Sequence, residues 1–186
     1  MIKLIKLFKE SLNEAKQVGT IYHFTDYESA EKIINDDLKL KVSPKPFGMD
    51  KTPDYAKYVS FTRNKDMKSP TIYREVRFKI NGDALSNKYK TEPYADVKSG
   101  FGRAKSDESE ERVDVEKRGG YVDISNYLIS IELLDPLAVN ENQQEWEDDV
   151  DYEQAPKTSH LSHFKSLIDS LKEKHLPFKI VKSYAK

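Results

Sequence analysis

The 186-residue chain contains no cysteine. Disulfides, thiolate metal sites and a cysteine nucleophile are therefore excluded, and the composition suits a cytoplasmic protein. Hydrophobic residues make up only 37% of the chain, against 34% charged residues. No apolar run approaches the ~20 residues of a membrane-spanning helix. The longest strongly apolar stretch, Tyr127–Leu134, is strand-sized. Charge of one sign is also lacking in excess: 31 Lys and Arg face 32 Asp and Glu. As a whole the chain is neither a basic nucleic-acid binder nor an acidic mimic, although local patches of either sign are open to it. It has no internal repeat, and its length suits one domain with a proper core.

What is present begins with residues 2–16, IKLIKLFKESLNEAK, whose apolar positions share one broad face with lysines interleaved. The expectation is an N-terminal amphipathic helix or leader over 1–18, followed by a single domain over 19–186. Three lysines interrupt the apolar positions too often for a secretory signal.

The domain opens on Ile21-Tyr22-His23-Phe24-Thr25, a short strand entering a helix. Alternation puts Tyr22 and Phe24 on one face and His23 and Thr25 on the other. Thr25 and Glu28 have capping-box spacing, and Tyr27, Ala30, Ile33 and Ile34 give the helix an apolar face. Two roles fit: a satisfied core histidine beside a helix cap, or a histidine and a hydroxyl presented to a ligand where helix N–H groups favour anions.

Further along, Leu38–Val42 reads as a short strand and 43–56, with three prolines, as a loop. Lys57–Arg63 alternates as a strand, with Val59 and Phe61 toward the core and Tyr58, Ser60 and Thr62 opposite. Ile72–Ile80 is another alternating strand. Asn81–Asp83 reads as a turn and Ala84–Tyr89 as a short helix. Residues 90–109 are long and irregular, which in a compact domain usually marks function or disorder. Glu108–Val115 reads as a strand entered through acids, with Glu111 sharing a face with Val113 and Val115, and Glu110 with Arg112. Lys117–Gly120 is a turn, Asp123–Asn126 a helical turn and Tyr127–Leu134 a buried strand. Residues 141–153 hold seven acids and no Lys or Arg, which describes a solvated acidic segment; Trp146 and Tyr152 within it hint at docking. Ser159–Lys174 is an amphipathic helix with Leu161, Phe164, Leu167, Ile168 and Leu171 on its apolar face, in which His160 and His163 lie one turn apart without a further metal ligand at hand. Pro177 stops it before a last strand at Phe178–Val181. Six or seven strands with two or three helices, the helices early and late, give an α+β domain.

Tyr22-His23-Phe24-Thr25, Tyr58-Val59-Ser60-Phe61-Thr62-Arg63 and Glu108-Ser109-Glu110-Glu111-Arg112-Val113, with YLISIEL behind them, together resemble the ADP-ribosyltransferase superfamily. The likeness is to the branch holding DarT-like DNA ADP-ribosyltransferases, RNA 2′-phosphotransferases and small phage proteins. It covers residues 20–134 and implies an α+β fold with an ADP-ribosyltransferase-like split mixed β-sheet core and flanking helices. It implies NAD as co-substrate, no metal, and a macromolecular acceptor that is DNA, RNA or protein. Carried onto this sequence, it makes Glu110 or Glu111 the catalytic acid, with Glu108 completing an E-x-E that positions the acceptor. His23 and Thr25 would bind the ribose hydroxyls and the nicotinamide amide, Tyr22 or Tyr58 would stack on nicotinamide, Ser60 would line the central strand, and Arg63 would grip the pyrophosphate. The 94–109 segment, with Lys98, Arg103 and Lys105, falls where the family keeps its acceptor-recognition loop. The chain departs from the pattern in lacking a Gly-rich phosphate loop, and the likeness lapses over 90–107.

The chemistry has its own logic. Cleaving the nicotinamide–ribose bond passes through an oxocarbenium-like ribose, which a nearby carboxylate stabilises. Two rivals use the same scaffold: removal of an RNA 2′-phosphate, for which Arg63, Arg77 and Arg112 are the arginine candidates, and a non-catalytic phage structural or interaction protein docking through 141–153. Leu12-Asn13-Glu14-Ala15 is similar to cleavage signals of phage head precursors. A phage or bacterial protein of the host cytoplasm, trimmed after Glu14 and packaged in the virion, is the corresponding expectation.

Overall fold

The computed structural model describes residues 18–42, 57–66, 75–93, 110–136 and 157–184. The leader helix, the proline-rich 43–56, the 94–109 segment and the acidic 141–153 all lie outside the described residues. In chain order the elements are β1 (Thr20–Thr25), α1 (Tyr27–Asn35), β2 (Lys39–Lys41), β3 (Tyr58–Thr62), β4 (Val76–Asn81), α2 (Gly82–Lys88), β5 (Thr91–Pro93), β6 (Glu110–Asp114), β7 (Tyr121–Asp123), β8 (Leu128–Leu134), α3 (Lys157–Glu173) and β9 (Phe178–Val181).

The fold is α+β. Seven strands form one sheet in the order β5-β6-β3-β1-β4-β8-β9, and β2 pairs with β7 in a second, small sheet. The large sheet is mixed: β9 runs parallel to β8, and every other neighbour pair is antiparallel. The first strand of the described chain is thus the centre of the sheet, hydrogen-bonded to β3 on one side and β4 on the other.

Residues opposite each other in a ladder share a face. Ile21 stands opposite Ile80, Phe78 opposite Ile131, Val76 opposite Leu133 and Val59 opposite Val113. All eight are buried and belong to one core with Ala30 and Ile34 of α1 and Leu167 and Leu171 of α3. Each such side chain removed from water contributes roughly 1.5–3 kcal/mol. The two helices meet where the Tyr27 and Phe164 rings pack edge to face at 5.4 Å. Tyr27 is fixed at both ends, its N–H donating to Glu75 Oε2 at 2.7 Å and its hydroxyl to the Leu134 carbonyl. Burial, reinforced by Glu75 and Asp135, pushes that hydroxyl's pKa well above its ordinary value.

Several local expectations change. Thr25 does not cap α1; it is the last residue of β1, opposite Val76. The cap is Asp26, whose carboxylate accepts from Ser29 N at 2.6 Å and Ser29 Oγ at 2.9 Å, while Glu28 pairs with Lys32. A carboxylate at the cap satisfies an orphan N–H and faces the positive end of the helix dipole. Asn81 is likewise the cap of α2, accepting from Ala84 N at 3.1 Å, so the helix starts at Gly82 where a turn was expected. Only glycine fits at 82: an added Cβ would lie 2.6 Å from the Gly19 carbonyl oxygen. β5 interrupts the supposedly irregular 90–109, and β7 precedes the expected helical turn, which is a plain turn held by Asp123 accepting from Ser125. Both are three-residue strands formed by partners distant in sequence. Leu161, assigned to the buried face of the last helix, is 47% exposed.

Candidate active site

Three neighbouring strands, β6, β3 and β1, carry the stretches singled out in the sequence. Tyr22 is opposite Thr62 and Phe61 is opposite Glu111. The next position along β1 sets His23 beside Phe61, their rings 6.1 Å apart and edge to face. His23, Phe61 and Glu111 therefore form one row across three strands on the core face. Two inter-strand spacings place the His23 and Glu111 backbones about 10 Å apart.

His23 lies between Phe61 and Phe78, the latter ring 6.3 Å away. Its Nδ1 is 3.1 Å from the Ser60 carbonyl oxygen. A carbonyl only accepts, so Nδ1 carries the proton and Nε2 keeps its lone pair. Burial lowers the pKa of the ring, with the Ser60 bond opposing it in part. At neutral pH His23 is uncharged, and its one N–H is spent on the Ser60 carbonyl. What it presents is an acceptor.

Glu111 is 2% exposed, and its Oε1 is ion-paired with the guanidinium of Arg63, which is 41% exposed on its side chain. Oε2 is buried and meets no hydrogen-bond partner among the described residues. A buried carboxylate oxygen without a donor costs free energy, which a water, a ligand or a part in chemistry offsets. Arg63 follows β3 directly and reaches Glu111 diagonally from its place two residues beyond Phe61.

The expected site residues divide between the two faces. His23, Thr25, Arg63 and Glu111 share the core-side face. Tyr22, Tyr58 and Ser60 alternate to the other, where Arg112 lies over the Tyr58 ring at 5.8 Å. Ser60 belongs to the set through its carbonyl alone. Thr25 lies one row beyond His23 toward α1. Glu110 stands opposite Thr62 in the ladder. Glu108, Lys98, Arg103 and Lys105 fall outside the described residues. Pro93, the last residue of β5, is opposite Glu111, so the described residues on either side of 94–109 lie beside the site.

Sequence reasoning missed the fate of Arg77. It is 8% exposed, paired through Nε at 2.5 Å to Glu132, itself 3% exposed. Its guanidinium lies under the rings of Tyr184, Tyr22 and Phe24, at 4.5, 5.1 and 6.0 Å. Lys179 adds a second cation to Glu132 at 2.8 Å. Burial would raise the pKa of the Glu132 carboxyl, but hydrogen bonds from Lys179 and Arg77 outweigh it and hold it low. Tyr22 is thereby tied to this cluster, and burial raises its hydroxyl pKa despite the opposing Arg77 charge. The available signal was parity: Arg77 and Glu132 sit at the polar positions of two adjacent apolar strands.

Among the described residues no group of three His, Asp or Glu side chains is placed to hold a metal. His163 meets Glu31 at 3.5 Å. No helix among the described residues is long and apolar enough to cross a membrane. Compared with known proteins, the chain matches no family model, and no curated protein is significantly similar to it.

Proposed function

We propose that the chain is an NAD-dependent ADP-ribosyltransferase that modifies a macromolecule, DNA, RNA or protein, with Glu111 as its catalytic carboxylate. The observation that carries the reading is the buried, half-satisfied Glu111 carboxylate on the same face and in the same row as a neutral His23. The adjacency of the three resembling stretches in space supports it further. On this reading the ribose of NAD lies over the row. The bond between C1 of the ribose and the nicotinamide nitrogen breaks, and the bonding pair leaves with nicotinamide. Glu111 Oε2 stabilises the developing positive charge on the ribose, and an acceptor oxygen or nitrogen then bonds to C1 and releases its proton to water. His23 Nε2 accepts from a ribose hydroxyl or the nicotinamide amide, and Thr25 adds a hydroxyl. Arg63, the exposed member, marks the side from which the pyrophosphate approaches. Phage or bacterial origin and action in the host cytoplasm belong to the same proposal.

The test incubates the protein with NAD labelled in its adenosine portion, together with DNA, RNA or a cell lysate, and follows free nicotinamide and acceptor-bound label. Glu111→Gln and His23→Ala are expected to abolish transfer with folding intact, while Glu110→Gln retains it. Loss in Glu110→Gln alone would transfer the catalytic role to Glu110. No nicotinamide, no label and no calorimetric NAD binding would overturn the proposal.

A further inference from the structure

The far end of β6 leads into the turn 116–120, away from Arg63 and Glu111. Tyr89, only 5% exposed, is the hub there. Its hydroxyl accepts from Asp123 N at 3.2 Å, and the cations of Lys88 and Arg118 lie 5.2 and 5.4 Å from its ring centroid. Arg118 is fixed further by its Nη1 donating to the Lys88 carbonyl at 2.9 Å. Beside it, Lys39 lies 5.6 Å from the Tyr121 ring centroid, on the small sheet where Lys39 is opposite Asp123. Gly119 and Gly120 have φ of 82° and 78°, a left-handed turn that displays Lys117, Arg118 and Tyr121 together. Lys88, Lys117 and Arg118 are exposed; the Tyr121 and Tyr127 rings are partly so.

The acids of this surface have hydrogen-bond or ion-pair partners of their own, and Asp123 also lies in the field of Lys88 and Lys39. Asp36 pairs with Lys41 at 2.7 Å, Glu116 with Lys57 at 3.5 Å, and Asp123 accepts from the N–H and hydroxyl of Ser125. Among the described residues, Lys39, Lys88, Lys117 and Arg118 form no ion pair with a carboxylate. Three cations, Lys39, Lys88 and Arg118, thus lie against tyrosine rings, two of them on Tyr89, and Lys117 stands exposed next to Arg118 in the chain.

We infer that this surface, built from Lys39, Lys88, Lys117, Arg118 and Tyr121, binds single-stranded nucleic acid. A single strand alternates phosphates with flat bases, and this surface sets its cations beside the partly exposed Tyr121 ring, while the buried Tyr89 holds Lys88 and Arg118 in place. An acidic peptide would use the cations and leave the rings idle. A lipid surface would want exposed apolar side chains, and the large ones in the described residues, Ile129, Leu161 and Ile180, belong to other elements. The inference does not depend on the transferase reading.

Anisotropy of labelled oligothymidylate and oligouridylate of about 15 nucleotides tests it with the full chain. Four phosphate contacts predict that the logarithm of affinity falls against the logarithm of salt with a slope of about 3, from ~0.7 per contact. Lys88→Gln with Arg118→Gln is expected to reduce that slope by about 1.4 and weaken binding about tenfold. Lys39→Gln with Lys117→Gln, which leaves the Tyr89 packing alone, should do the same. Tyr121→Ala should weaken binding at an unchanged slope, because a lost stacking ring releases no counterion. Lys165→Gln with Lys182→Gln removes equal charge elsewhere and should change nothing. Wild-type binding by both folded patch variants, equal weakening by the control pair, or binding to phosphatidylglycerol vesicles without binding to either oligonucleotide would overturn the inference.

Discussion

His23 and Glu111 face the same side of the large sheet from two strands that are not neighbours, with Phe61 of the intervening strand between them. His23, Phe61 and Glu111 lie 38 and 50 residues apart in the chain, yet strand order brings them into one row. The arrangement joins a neutral acceptor, an aromatic spacer and a buried carboxylate, and each member supports a measurable consequence.

The histidine gives the first. His23 has a lowered pKa in the folded protein because of burial. The unfolded chain therefore takes up a proton near pH 6.5 while the folded chain does not, and stability falls as pH drops through and below that value. Above it the effect vanishes. Denaturant unfolding at pH 7.5 and 5.5 should show wild type losing more stability on acidification than His23→Gln, since the carboxylates contribute alike to both. A nitrogen-detected NMR spectrum at neutral pH should show the proton on Nδ1.

The ion pair gives the second. Arg63→Ala strips Glu111 of its cation and leaves a buried charge. Because the Arg63 head is half exposed and screened, the expected cost is about 1–2 kcal/mol, below the 3–5 of a fully buried pair. Glu111→Gln in the Arg63→Ala background should recover part of this loss. A double-mutant cycle by urea unfolding measures the coupling.

Arg77 should be the more sensitive position. Both partners of its pair with Glu132 are nearly inaccessible, and three aromatic rings enclose the guanidinium. Arg77→Ala is expected to cost about 3–5 kcal/mol. Arg77→Lys should restore little, because an ammonium cannot stack as a plane or donate through a fork. Unfolding midpoints with unchanged denaturant slopes would confirm a loss of stability rather than of compactness.

The cap of α1 separates two neighbouring residues. Asp26→Ala should lower stability by about 1 kcal/mol, whereas Thr25→Val, in a strand position, should cost less than half of that. The reverse order in thermal unfolding would return the cap to Thr25.

Gly82→Ala should destabilise by about 1–3 kcal/mol, since its Cβ would press on the Gly19 carbonyl and Val18. Gly120→Ala is crowded by nothing within 4 Å and should show only the strain of its left-handed φ.

The sequence by itself determined which way side chains face within each strand. Period-two alternation set Val59 and Phe61 inward, put Glu111 with Val113, and split Tyr22 from His23, because the pleat leaves no other choice. Helix periodicity placed Tyr27, Ala30, Ile34, Leu167 and Leu171 in the core. Only the tertiary structure decided which strands are neighbours, since ladder hydrogen bonds join residues far apart in the chain and leave no local trace. That decision made β1 central, sealed Arg77 against Glu132 under Tyr184, formed the three-residue β5 and β7, and gave Glu111 its Arg63. It also fixed the His23 tautomer, through a carbonyl 37 residues away. The cap fell to Asp26 rather than Thr25 because Thr25 ends the strand in its pairing with Val76, a contact between elements rather than within one.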